Sequence, residues 1–176
     1  MELMKVLYIS DNHGDAAILN RVAATFKDEV DVMLHCGDSN LPNTDPTMTP
    51  YQTVRGNTDW GLTYPRMITT TVAGVKLGVT HGDKDQVNTS LLPLSLRAQA
   101  AEVAVMGYGH THQLAVTVDQ GILLINPGSI SQPRGEYRDL KGTFAIVEVT
   151  DQAFKVQYYN RQMQPVPTLA MQFSRD

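Results

Sequence analysis

The run "MKVLYIS" at residues 4–10 leaves this chain few choices. Apart from Lys5 and the closing serine it is apolar at odd and even positions alike. As a strand it must therefore be covered on both faces. Residues 15–28, "DAAILNRVAATFKD", follow, with apolar side chains at Ala16, Ile18, Leu19, Val22, Ala23 and Phe26. That spacing draws one stripe along an amphipathic helix. "VDVMLHC" at 30–36 reads as a second buried strand and "YQTVR" at 51–55 as a third. Strand–helix–strand units of this kind belong to layered α/β architectures.

Farther on the pattern changes. "RMITTTV" and "VKLGVTH" flank an "AG" turn and read as a hairpin. Residues 90–102 read as a helix with Pro93 in its first turn, and 103–109 as another buried strand. "LAVTVD" with "GILLIN", and "TFAIVEVT" with "AFKVQYYN", read as two more hairpins. The proline-bearing stretch 37–50 is a long excursion. A single α/β domain over 1–176 with two sheets is expected, long enough to bury its own core.

Composition narrows the function classes. The net charge is −4, from 18 acidic and 14 basic residues, and no Lys/Arg cluster stands out, which argues against extended nucleic-acid binding. The only cysteine, Cys36, cannot form an internal disulfide and suits a reducing cytoplasm. The opening apolar run is broken by Glu2 and Lys5 and meets "DNHGD", which suits neither a signal peptide nor a membrane span.

Five polar clusters sit at the predicted strand ends. They are "SDNHGD" with Asp11 and His13, "HCGDSN" with Asp38, "RGNTD" with Asn57, "THGD" with His81, and "YGHTHQ" with His110 and His112. Strand carboxyl ends are where open α/β sheets build binding sites. Carboxylate, imidazole and amide oxygen are ligands for divalent transition metals, and the absence of a thiolate cluster argues against a zinc finger. Taken singly, each cluster has a plain structural reading as a helix cap, a turn or a satisfied histidine. Four of the five histidines are among these candidate ligands, however. The fifth, His35, reads as a packed residue behind them.

The order D-x-H, G-D, G-N-x-D, H-G, G-H-T-H resembles that of the calcineurin-like metallophosphoesterases. The short length, the "GN-x-D" form and "NPGS" at 126–129 resemble the small prokaryotic YfcE-type phosphodiesterases. The resemblance implies a four-layer αββα sandwich, two mixed β-sheets flanked by helices, and a hydrolase with two divalent metal ions. Manganese comes first, with iron, zinc or nickel as alternatives. By motif, Asp11, His13 and His112 would hold one ion and Asn57, His81 and His110 the other. Asp38 would bridge them with one oxygen each, and Asp38, His13 and Asn57 are the residues read as catalytic. Such a pair, roughly 3.5–4 Å apart, activates a bridging hydroxide for in-line displacement. The four charges of two such ions exceed those of Asp11 and Asp38, and the surplus suits a small phosphate-ester substrate. A neutral Asn57 preserves it. Family members also form homodimers or homotetramers.

Two positions depart from the wider pattern. Thr58 stands where many relatives carry a histidine assigned to phosphate binding or leaving-group protonation, and Asp83 stands where many carry a second histidine after His81. Thr58 points to a preference for acidic leaving groups; Asp83 reads as a loop residue. Asp59 is expected to orient the Asn57 loop, Asp15 to sit at a helix start, and Arg55 and Arg134 to be solvated or ion-paired rather than to bind phosphate oxygens. Trp60, Tyr108 and Tyr137 have the chemistry to stack on a substrate base, but packing in the core or rim is the expectation. The alternatives are a phosphomonoesterase on the same site, a binding scaffold resembling the retromer subunit, and a mononuclear metal-binding or redox-sensing protein.

Overall fold

The computed structural model describes residues 3–175. The opening run forms β1 (Met4–Ile9). It pairs in parallel with β2 (Val32–His35), which pairs in parallel with β3 (Gln52–Thr53). On its other side β1 pairs antiparallel with β9 (Thr143–Val149), followed outward by β10 (Ala153–Asn160) and β11 (Pro165–Ser174). The second sheet runs in the order β4 (Met67–Val72), β5 (Val75–Thr80), β6 (Val105–Gly107), β8 (Ile122–Asn126), β7 (Ala115–Asp119). Both sheets are mixed, as expected.

The alternation along β1 explains the layering. Val6 and Tyr8 face the second sheet, in a cluster with Leu77, Val105 and Ile125. Leu7 and Ile9 face outward and meet α1 (Ala16–Phe26) through Ile18, Leu19, Val22 and Phe26. Each such buried side chain stabilises by roughly 1.5–3 kcal/mol relative to exposure. Asp15 caps α1 by accepting a hydrogen bond from the Ile18 amide at 3.3 Å. On the far side α2 (Leu92–Ala101) covers Met106, Ile122 and Leu124 through Leu94 and Ala98. The result is the four-layer αββα sandwich.

Tyr8 joins the two sheets directly. Its hydroxyl donates to the Gly78 carbonyl at 3.0 Å, and its ring fills the space a Cβ would need at Gly107. Only glycine fits at that point of β6.

β11 is an addition to the expected strands. Pro165 and Pro167 break the strand signal in its sequence, yet β11 is an edge strand, where a missing donor is tolerated. The loop at 37–50 also carries one short 3₁₀ turn, Pro46–Met48. Among the described residues, no helix is long and apolar enough to cross a membrane.

Candidate metal centre

The five clusters converge at one end of the sandwich, with the first sheet supplying Asp11, His13, Asp38 and Asn57. The second supplies His81, His110 and His112. His13 Nε2 lies 3.1 Å from His112 Nε2, and Asp11 Oδ1 lies 3.3 Å from the same His112 atom. His81 Nε2 lies 2.9 Å from Asn57 Oδ1 and 3.3 Å from Asp38 Oδ2. His110 Nδ1 reaches Asn57 Oδ1 at 3.1 Å. Asp38 Oδ2 faces both halves, being also 3.9 Å from His13 Nε2. All seven side chains named from the sequence are therefore brought together.

Backbone conformation makes this convergence possible. Asp11, His13, Asp38, His110 and His112 all have positive φ, between 44° and 72°. For residues with a Cβ, that left-handed region costs of order 1–3 kcal/mol each, and such strain gathers at functional sites. Two motif glycines serve the carboxylates: a Cβ at Gly56 would overlap Asp38, and one at Gly109 would overlap Asp11 and Ser10.

Hydrogen bonds on the outer side fix the imidazoles. His81 Nδ1 donates to the Cys36 carbonyl at 2.7 Å, and His112 Nδ1 donates to the Gln132 carbonyl at 2.8 Å. Each ring must then present a bare Nε2 lone pair inward, unless it is protonated. For His81 that lone pair faces two acceptor oxygens. Such a cluster of acceptors needs a cation between them, either a proton or a metal ion.

The electrostatics agree. Burial alone would depress His81, but the Asp38 hydrogen bond and the Asp11 and Asp38 charges raise its pKa to about 9. Burial would raise Asp38; His81 and the Thr58 amide instead hold it far below the ordinary carboxylate value. Asp11 is likewise lowered against its burial, by His112, His81 and Ser10. Its Oδ2 is held by Ser10 and by the His110 amide, while the buried Oδ1 has no hydrogen-bond donor and points into the site. An orphaned carboxylate oxygen beside two imidazoles fits a bound divalent cation. Asp11, His13 and His112 form one cluster with metal-ligand spacing, and Asp11, Asp38 and His81 another.

A calcineurin-like phosphoesterase superfamily model matches residues 4–152. The chain belongs to that family. It is 36% identical to the probable metallophosphoesterase YsnB of Bacillus subtilis over 158 residues, covering 90% of this chain and 92% of the relative. An uncharacterized protein of Streptococcus pneumoniae, described as a predicted phosphoesterase, superposes with a TM-score of 0.94 at 36% identity over 99% of both chains. Vps29 of Cryptosporidium parvum (TM-score 0.75, 17% identity, 98% of both chains) shares the fold. So does the phosphoesterase YfcE of E. coli (0.66, 19%, 98% of this chain and 100% of that one). Family membership implies a hydrolase of phosphate esters and a divalent metal.

Neighbouring residues take defined structural places around this candidate site. Buried Asp59 accepts from the amides of Asp38, Asn40 and Gly56 at 2.7–2.9 Å, and so orients the Asn57 loop as expected. His35 lies behind the site. Burial, partly offset by Asp11 and Asp59, pulls its pKa down to about 4, so the ring is neutral. Its Nδ1 accepts from the Gly37 amide and its Nε2 donates to Asn12 Oδ1 at 2.7 Å. Asn12 in turn donates to the Ser39 carbonyl, tying the Asp11 loop to the Asp38 loop. Ser129 of "NPGS" donates to the Asp11 carbonyl at 2.7 Å. Asp83 pairs with Arg66 at 3.6 Å, a loop role as expected.

Some residues were missed or differ. Asn12 stands inside the D-x-H motif, where it reads as the spacer. Asn40 staples the Asp38 loop to the Thr58 carbonyl and hydroxyl, with no motif to announce it. Arg55 is half-buried, and among the described residues its buried Nε has no hydrogen-bond partner. Tyr108 is buried and Tyr137 packs against the core, but Trp60 departs from the packing expected of it and is 83% exposed.

Proposed function

We propose that this chain is a phosphodiesterase working with two divalent cations, manganese first among them. The observation that carries the reading is the inward-facing set of acceptors around His81 Nε2: Asn57 Oδ1 at 2.9 Å and Asp38 Oδ2 at 3.3 Å. Asp11, His13 and His112 would hold one ion and Asn57, His81 and His110 the other. Asp38 would be shared between them, and the Thr58 amide, donating to its Oδ1 at 2.9 Å, fixes the carboxylate's orientation.

When bound, two divalent ions supply Lewis acidity and, from water, a nucleophile at neutral pH. The chain's own part is positioning. The Cys36 and Gln132 carbonyls hold protons on Nδ1 of His81 and His112, keeping Nε2 free. Asp11, Asp38, His81 and His112 form a buried floor, while His13 and His110 are half-buried and Asn57 is exposed. A phosphate ester therefore approaches from the His13–Asn57–His110 side. Thr58 offers no proton at neutral pH, so water or a group near His13 protonates the leaving group, and esters with acidic leaving groups react best. A cytoplasmic setting fits the lone, buried Cys36 thiol.

The test is hydrolysis of bis(p-nitrophenyl) phosphate beside p-nitrophenyl phosphate, with manganese and with chelator. Metal-dependent turnover favouring the diester supports the proposal. Turnover favouring the monoester replaces it with a phosphomonoesterase. Absent turnover with every metal points to a binding scaffold.

A further inference from the structure

We infer that Trp60 is a stacking surface for a nucleobase carried by the ester substrate. The inference rests on the phosphoesterase reading above and names the substrate class: esters of nucleotides. Three observations support it. First, Trp60 is the chain's only tryptophan, and it is 83% exposed, more than any other large apolar side chain described.

Second, the exposure does not come from a loose loop. The Trp60 amide donates to the Thr58 carbonyl at 2.9 Å, and the Leu62 amide donates to the Asp59 carbonyl at 3.2 Å. Asp59 is itself 1% exposed and bonded to the Asp38 and Gly56 amides. Tyr64 anchors the far end through the Leu41 carbonyl at 2.8 Å. An indole presented on a backbone fixed in this way loses little freedom when a flat ring covers it.

Third, the loop is the one that carries Asn57 into the metal centre. Three residues span at most about 11 Å, so the Trp60 backbone stands within a nucleotide's length of Asn57, the ligand at the rim of that centre. Base–aromatic stacking accepts any base, because each has a π-face.

The sole tryptophan supplies its own readout. With the manganese-loaded protein, adenosine 5′-monophosphate should quench Trp60 fluorescence saturably, whereas ribose 5-phosphate and inorganic phosphate should not. Inhibition of methyl p-nitrophenyl phosphate hydrolysis supplies the second readout. Trp60→Leu should weaken adenosine 5′-monophosphate about tenfold relative to ribose 5-phosphate, the order of one lost stack. Trp60→Phe should recover most of that selectivity. Equal quenching by all three ligands, or an unchanged ratio in Trp60→Leu, overturns the inference, and a protein-docking role for the indole then takes its place. Wild-type turnover of the methyl ester separates the two failures: without it the phosphoesterase reading fails, and with it only the stacking inference does.

Discussion

His81 Nε2 lies 3.3 Å from Asp38 Oδ2, while Nδ1 of the same ring is committed to the Cys36 carbonyl at 2.7 Å. In the metal-free protein this is an imidazolium–carboxylate pair. The His81 pKa rises from 6.5 to about 9, and Asp38 falls below 3.8. These are two views of one coupling, to be counted once. A raised histidine contributes stability that is complete below pH 6.5 and is lost as pH rises through about 9. The depressed carboxylate loses its contribution only as pH falls below 3.8. Scanning calorimetry of chelator-treated protein should therefore show Tm falling between pH 6.5 and 9, and His81→Gln should flatten that fall. Manganese affinity, measured by titration calorimetry, should rise across the same window, because the ion must displace the proton.

Asp38 faces both halves of the site through one oxygen. Asp38→Asn keeps the shape and the Thr58 contact but removes the charge. Diester turnover should fall by more than about 100-fold, beyond the 10–100-fold typical of outer-sphere partners. Metal analysis should show fewer than two ions per chain. A variant that keeps both its metal and its rate would displace Asp38 from the centre.

Thr58 marks a missing proton donor. Across aryl and alkyl diesters the wild-type rate should rise steeply with leaving-group acidity. Thr58→His should reduce that slope and raise alkyl-ester turnover by about 100-fold, the low end of general acid catalysis. The Thr58 amide still holds Asp38 in this variant. If the slope is unchanged, leaving-group protonation does not run through position 58.

His35 tests the support behind the site. His35→Phe removes the donor to Asn12 and the acceptor for the Gly37 amide. Manganese affinity should drop 10–100-fold, as expected for a lost outer partner. Burying the orphaned groups should also cost about 1–3 kcal/mol in denaturant unfolding. Because folding lowers its pKa from 6.5 to about 4, wild-type His35 loses its stability contribution as pH falls through that range. The variant should lack that acid-side loss.

The sequence made the site more legible than its support. Strand-end histidines and carboxylates announce themselves by type and spacing, and Gly56 and Gly109 stood beside them. Apolar alternation gave both sheets and both helices. What it could not give was backbone sign: nothing in "DNH" reveals that Asp11 and His13 turn left-handed. Nor could it assign Asn12 and Asn40, whose work depends on which loops meet in space. β11 was hidden by its prolines, because edge position is a property of the finished sheet. Trp60 was misplaced because a lone tryptophan is ordinarily worth burying, and here the loop is held rigid by Asp59 instead.

Tyr8 reaches from the first sheet to the Gly78 carbonyl of the second and fits against Gly107. Each of the two proposed ion sites draws residues from both sheets. The ring therefore acts as an alignment dowel between two plates that each carry half of a socket. Sliding one plate over the other by an ångström would leave every strand intact and still spoil the socket. Wear at that dowel, far from the chemistry, should thus be read first in how tightly the protein keeps its metal.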